Sequence, residues 1–225
     1  MKKSIRTLAL ALMLSSTALA NDIYIDQTGD NLDLTITQEG SGNQVGTSST
    51  DVSISGDNAT IVINQIGDTN TVTMSQTGDN FTLTLDKTGN SNDVTINCDS
   101  LAGGNCVGVT IDKTITGNSN TFTTNVGENA DSGGASITYS VTGNSNTVTT
   151  TVDGITATIN TSITGNSNSY SVTQSGDGSV LGHGLTHTHT GSSGTFSLTQ
   201  SGDSDKLINM TTDGASANVS ITQTD

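Results

Sequence analysis

Glycine returns every eleven residues through most of this chain. It stands at 29 and 40, at 56, 67, 78 and 89, at 143, 154, 165 and 176, and at 191 and 202. A fixed period of this kind marks a repeat architecture, in which each module stacks on its neighbours and contacts little else. Residues 65–76 run directly into 76–87 with the same pattern, and T-G-N-S-N recurs at 88–92, 116–120, 142–146 and 164–168. Between groups the step grows to 16 residues, as from Gly40 to Gly56 and from Gly127 to Gly143. Such steps read as a module with a small loop added at a corner.

Inside a module the alternation has period two, which makes the element a strand. Leu32, Leu34, Ile36 and Gln38 share one parity, and Asp33, Thr35 and Thr37 the other. The same split separates Asn70, Val72, Met74 and Gln76 from Thr71, Thr73 and Ser75. The apolar parity faces inward and the threonine parity faces water, where β-branched residues suit a strand. Gly, Asn and Asp at the corners accept the positive φ that a tight reversal needs. One strand and one corner cannot bury an inner face, so two facing modules close a flattened coil of about 22 residues. The expected fold is all-β, a β-solenoid of about eight two-strand coils, about 40 Å long at the usual sheet spacing.

Composition bears on whether such a chain can fold at all. Only 30% of residues are hydrophobic and 3% aromatic, so a conventional globular core is ruled out. The polar excess is not that of a disordered chain, however: there is no proline, and 42 of the 225 residues are threonine. Inward amides offer a way to satisfy the interior. Gln27, Gln38, Gln65, Gln76, Gln174, Gln200 and Gln223, with Asn70, Asn92, Asn120, Asn146 and Asn168, are expected to stack coil on coil as hydrogen-bonded ladders.

The first twenty residues stand apart. Lys2, Lys3 and Arg6 precede an apolar run from Leu8 to Leu14, and Ala18-Leu19-Ala20 offers a small-residue cleavage site. This reads as a secretory signal peptide over residues 1–20, leaving 21–225 as the repeat domain. The apolar run is too short to span a bilayer. Removal of the leader leaves Lys87, Lys113 and Lys206 against 21 carboxylates, 3 − 21 = −18. That charge excludes a general nucleic-acid binder, which needs a basic face.

The pattern Gln-x-Gly-x-x-Asn with a second Gln closing the strand resembles the curlin repeat of bacterial curli subunits. It is carried by residues 25–30, 34–38, 65–76 and 172–176, and it extends over nearly all of the mature chain, weakly in 127–139 and 176–189. Lys87, Cys98 and His189 stand where that repeat has Gln. The resemblance implies a secreted subunit or nucleator of extracellular amyloid fibres in a biofilm matrix, at a bacterial cell surface. It also implies partners: further copies, other curlin-like subunits, and an outer-membrane secretion machinery.

Several residues are candidates for chemistry. Cys98 and Cys106 are the only cysteines, eight apart in a chain with an export signal, which suggests a disulfide closing the loop 99–105; inward thiols are the alternative. His183, His187 and His189 fall within seven residues, and two of them share a strand face, so they are candidate metal ligands or inward ladder groups. Acidic Gly-Asp corners could associate weakly with Ca²⁺, and no other cofactor is expected. Enzymatic activity is not expected: no serine has a nucleophile-elbow context, and Glu39 and Glu128 are the only glutamates.

Assembly by strand addition is the expected function, through the terminal coils at Ile23 and Ile25 and at Val219 and Ile221, which no proline blocks. The alternative is a monomeric secreted binding module. In it, outward Thr-x-Thr pairs such as Thr121/Thr123 and Thr147/Thr149 would meet ice, a glycan or a host surface.

Overall fold

The computed structural model describes residues 23–225 except 41–42, 47–51, 68, 90, 99–105, 118, 128–133, 144, 154–155, 166, 176–182, 192, 203–204 and 215. The leader expected at 1–20 lies outside the described residues. Among those described there is no helix, and eighteen strands form two sheets in which every pairing is parallel. Sheet A contains β1 (Asp26–Thr28), β3 (Gln44–Val45), β4 (Val52–Ser55), β6 (Thr71–Thr77), β8 (Asp93–Cys98) and β10 (Thr121–Val126). It continues through β12 (Thr147–Asp153), β14 (Asn168–Ser175), β16 (Gly194–Gln200) and β18 (Asn218–Gln223). Sheet B contains β2 (Asp33–Glu39), β5 (Thr60–Ile66), β7 (Thr82–Thr88), β9 (Thr110–Thr116), β11 (Ser136–Thr142), β13 (Thr158–Gly165), β15 (Gly184–Gly191) and β17 (Leu207–Asp213). Apart from β3, the chain alternates between sheets and each strand pairs with the next of its own sheet, so the fold is a β-solenoid.

The solenoid has about six complete turns, not eight. From β5 to β16 each coil places a long strand on both sheets, with inward residues buried in strict alternation. The ends fall short of that standard. At the start β1 has only three residues, and β3 and β4 share one rung, both pairing with β6. At the finish β17 is half-buried at best and β18 is exposed along its whole length.

Two kinds of corner close the coils. Where sheet B passes to sheet A, the corner Asn turns back on its own glycine: the amides of Asn43, Asn70, Asn92, Asn146 and Asn168 donate to the carbonyls of Gly40, Gly67, Gly89, Gly143 and Gly165 at 3.0–3.3 Å. Successive glycines approach so closely here that a Cβ on Gly143 would lie 1.5 Å from the Gly117 oxygen. Where sheet A passes to sheet B, Asn31, Asn58 and Asn80 take positive φ of 64°, 58° and 56°. Beside them Asp30, Asp57 and Asp79 form a stack. Asp30 accepts from the Asp57 N–H (3.2 Å), Asp57 from the Asp79 N–H (2.9 Å), and Asp79 from the Val107 N–H (3.1 Å). Short acidic side chains thus staple one coil to the next.

Candidate functional site

Two parts of the molecule could carry function: the polar interior and the open ends. In register the inward columns run the length of the solenoid. One column of sheet A passes through Gln27, Ile54, Gln76, Cys98, Val126, Val152, Gln174, Gln200 and Gln223. Its counterpart on sheet B passes through Gln38, Gln65, Lys87, Ile115, Val141, Ile163, His189 and Thr212.

The amide ladders are therefore interrupted rather than continuous. Gln65 donates to the Gln38 side-chain oxygen at 2.6 Å and Gln200 to that of Gln174 at 3.4 Å. Gln76 and Gln174 instead donate to backbone oxygens, of Gly56 and Ala157, at 3.2 Å each. Aliphatic residues, a lysine and a cystine stand between the glutamines, so stacked amides cannot continue. Gln27 is half-buried and Gln223 exposed, each at an end of its column. Among the described residues, the Asn146 side chain is the only one of these corner amides that reaches a neighbouring coil, donating to Asn168 at 3.3 Å; those of Asn70 and Asn92 serve their own corners, and that of Asn120 is buried with no hydrogen-bond partner. An amide pair that parity arguments overlook lies on the outside, Asn125 donating to Asn97 at 2.9 Å.

Cys98 and Cys106 are joined as a disulfide with Cα atoms 6.0 Å apart, and both are buried in the core. The loop 99–105 that it closes lies outside the described residues.

The three histidines are buried, and none of their six ring nitrogens has a hydrogen-bond partner among the described residues. No group of three or more His, Cys, Asp or Glu there could hold a metal ion. Aromatic rings enclose two of them instead. His187 stacks on Tyr170 at 4.5 Å between centroids and tilts against Phe196 at 4.5 Å, and His189 meets Phe196 edge-on at 4.8 Å. Burial lowers the His187 pKa to about 4, with the His189 charge adding to the effect. Burial also lowers that of His189, against the pull of Asp213.

Two lysines lie inside as well. Lys87 donates to the backbone oxygens of Asp93 (2.9 Å) and Asn70 (3.4 Å), and Lys113 to the Thr124 hydroxyl (2.5 Å), with its ammonium 5.1 Å from the centroid of the Tyr139 ring. Burial holds Lys87 well below the usual lysine range, despite the attraction of Asp93, and lowers Lys113 to about 7. Cross-core pairs continue the polar seam: Thr150 donates to the Tyr139 hydroxyl at 3.0 Å, and Thr161 shares a 2.6 Å hydrogen bond with Tyr170. Burial pushes Tyr139 up to about 12 and Tyr170 up further. These titratable groups are all buried in the core. Parity could have revealed Lys113, which shares a face with Ile111 and Ile115.

The ends differ from each other. Ile23 is buried at 8% exposure and Ile25 is packed against the core, so neither is presented as an apolar end. Val219 and Ile221 are 40% and 48% exposed on β18, which pairs only with β16 among the described residues. Of the four residues expected at assembly edges, only the C-terminal two lie open. No helix among the described residues is long and apolar enough to cross a membrane. Comparison with family models, curated proteins and solved structures finds no match.

Proposed function

We propose that this chain is a secreted structural protein, a curlin-like subunit or nucleator that adds end to end into extracellular fibres at a bacterial surface. The observation that carries the reading is the open rung β18. Its outer edge pairs with no strand among the described residues, and with Val219 and Ile221 exposed it borders a parallel stack whose register is already fixed. Continuing the sheet A column by one coil sets Gln27 of an incoming copy over Gln223, Ile25 over Ile221 and Ile23 over Val219. On sheet B the column from Leu34 to Ile208 would continue in the same way. Like side chains then meet like, and a strand edge that water can satisfy only in part gains a ladder. Other curlin-like subunits would dock on the same edge, and an outer-membrane machinery would deliver the chain.

The test is seeded growth of residues 21–225 followed by thioflavin T fluorescence and negative-stain microscopy. Val219→Lys with Ile221→Lys, or Ile221→Pro, is expected to abolish elongation while the thermal transition of the monomer shifts little. Unchanged fibre yield would refute the reading. A second reading, a monomeric surface module that holds ice or a glycan, draws on the outward hydroxyl rows, which are in register from coil to coil, as Thr121 on Thr147 and Thr123 on Thr149. A persistent monomer with β-type circular dichroism would favour it.

A further inference from the structure

Charge is unevenly spread over the outside of the solenoid. The outer face of sheet B carries Asp33, Glu39, Asp86, Asp112 and Asp213, and the corners carry Asp30, Asp57 and Asp79. Sheet A is different from β10 onward. Five consecutive rungs, β10, β12, β14, β16 and β18, present outward hydroxyls and amides with a single charge, Asp153 at the rim. The central row runs Thr123, Thr149, Ser171, Ser197 and Ser220 in unbroken register. Sheet B offers only three neutral rungs in succession, β11, β13 and β15.

We propose that this neutral face of sheet A is a lateral interface for a second copy of the same chain, the two packing face to face once copies are joined end to end. The proposal rests on the end-to-end reading above. Copies bearing 3 − 21 = −18 each repel one another along most approaches, and on this broad face the penalty is least, with Asp153 at the rim as its one charge. Two identical sheets share one rung spacing, so rows of threonine methyls and hydroxyls interdigitate in step over any length, as in a steric zipper. A different partner would have to match that spacing by coincidence.

Area sets when the contact holds. Five rungs about 4.8 Å apart, each about 20 Å long, cover roughly 500 Å² per copy. The pair would bury about 1,000 Å², at the threshold for a specific interface, so isolated copies separate. In a filament the contact repeats at every subunit, and each further contact is intramolecular once the first has formed. Lateral pairing is thus a property of fibres and not of monomers.

The experiment compares fibres of the mature chain with those of Thr149→Lys/Ser171→Lys/Ser197→Lys, checked for folding by circular dichroism, with Thr149→Lys alone as the milder variant. A control triple, Thr138→Lys/Ser140→Lys/Ser162→Lys, places the same charge on sheet B. The expected result is that the parent and the control form paired or bundled fibres by electron microscopy. The sheet A variants should elongate from seeds at the same rate, but with the paired fraction reduced at least fivefold. Single parent fibres, or pairing that survives the sheet A lysines, overturn the lateral interface while leaving end-to-end growth intact. Single fibres that adsorb ice or an insoluble glycan through the same face assign it to that occupant instead. A chain that never forms fibres refutes both proposals.

Discussion

The same inward column of sheet B reads Ile36, Ile63 and Leu85 in the early coils, and Lys113, Tyr139, Thr161 and His187 in the later ones. The backbone hardly registers the change, since both stretches pair in parallel register and bury the column almost completely. What differs is the facing sheet. Met74 and Ile96 give way to Thr124 and Thr150, so each polar group of the later stretch, as far as Tyr170, meets a hydroxyl across the core. A solenoid interior therefore tolerates polar residues when they arrive as cross-core pairs, and in this column His187 is left without a hydrogen-bond partner among the described residues.

Moving a lysine one coil back is expected to have the largest effect. In Leu85→Lys the ammonium would stack between Ile63 and Lys113, and the position matching Thr124 on the facing sheet is Ile96. An unpaired buried charge of this kind should cost about 3–5 kcal/mol in urea unfolding. Lys113→Met, which removes a paired lysine, should change stability by no more than about 2 kcal/mol in either direction. Equal losses from the two variants would show that the facing hydroxyl is irrelevant.

Acid tests the unpartnered end of the column. The His187 pKa falls from 6.5 to about 4 on burial, so between those values the unfolded chain holds a proton that the folded chain lacks. Stability should therefore fall as pH drops from 6.5 towards 4, by about 3 kcal/mol, with the transition confined to that window. Lys113 acts in the same sense at higher pH. Its value of about 7, against 10.5 for the free side chain, makes the fold more stable as pH rises between the two. Melting curves of parent and His187→Phe should diverge below pH 6.5 and run parallel above it. Curves that stay parallel down to pH 4 would place the acid sensitivity elsewhere.

The two periodicities, eleven and two, made the architecture legible in advance, because inward parity is enforced at every strand by the same burial. The number of complete turns was not legible. It depends on whether the end rungs find a neighbour, and the 16-residue step from Gly40 to Gly56 marks an insertion without telling that it divides one rung on β6 into β3 and β4. Corner asparagines misled for a related reason. Gly-Asp-Asn and Gly-Asn-Ser-Asn look alike as strings, yet Asn80 takes positive φ while Asn92 caps a glycine carbonyl. The exposed pair at Val219 and Ile221 was legible as an open edge, whereas burial of Ile23 depends on packing that no local pattern reports. The polar seam was half visible. Parity puts Lys113 and Tyr139 inside, but which hydroxyl faces each depends on the lengths of the intervening corners.

That pairing can be measured directly, and it carries the smallest of these effects. Thr161 and Tyr170 share one hydrogen bond across the core, and both are buried. Thr161→Val strands the phenol and Tyr170→Phe strands the threonine hydroxyl, each expected to cost about 1–3 kcal/mol, the desolvation of an unsatisfied group. The double variant replaces both polar groups by apolar ones of similar shape and should lose no more than the worse single change. A coupling energy of about 1 kcal/mol or more in this cycle would establish that the later core is specified by pairs. Simple additivity would mean that the two residues are tolerated independently, and the contrast with the aliphatic coils would then come down to residue size.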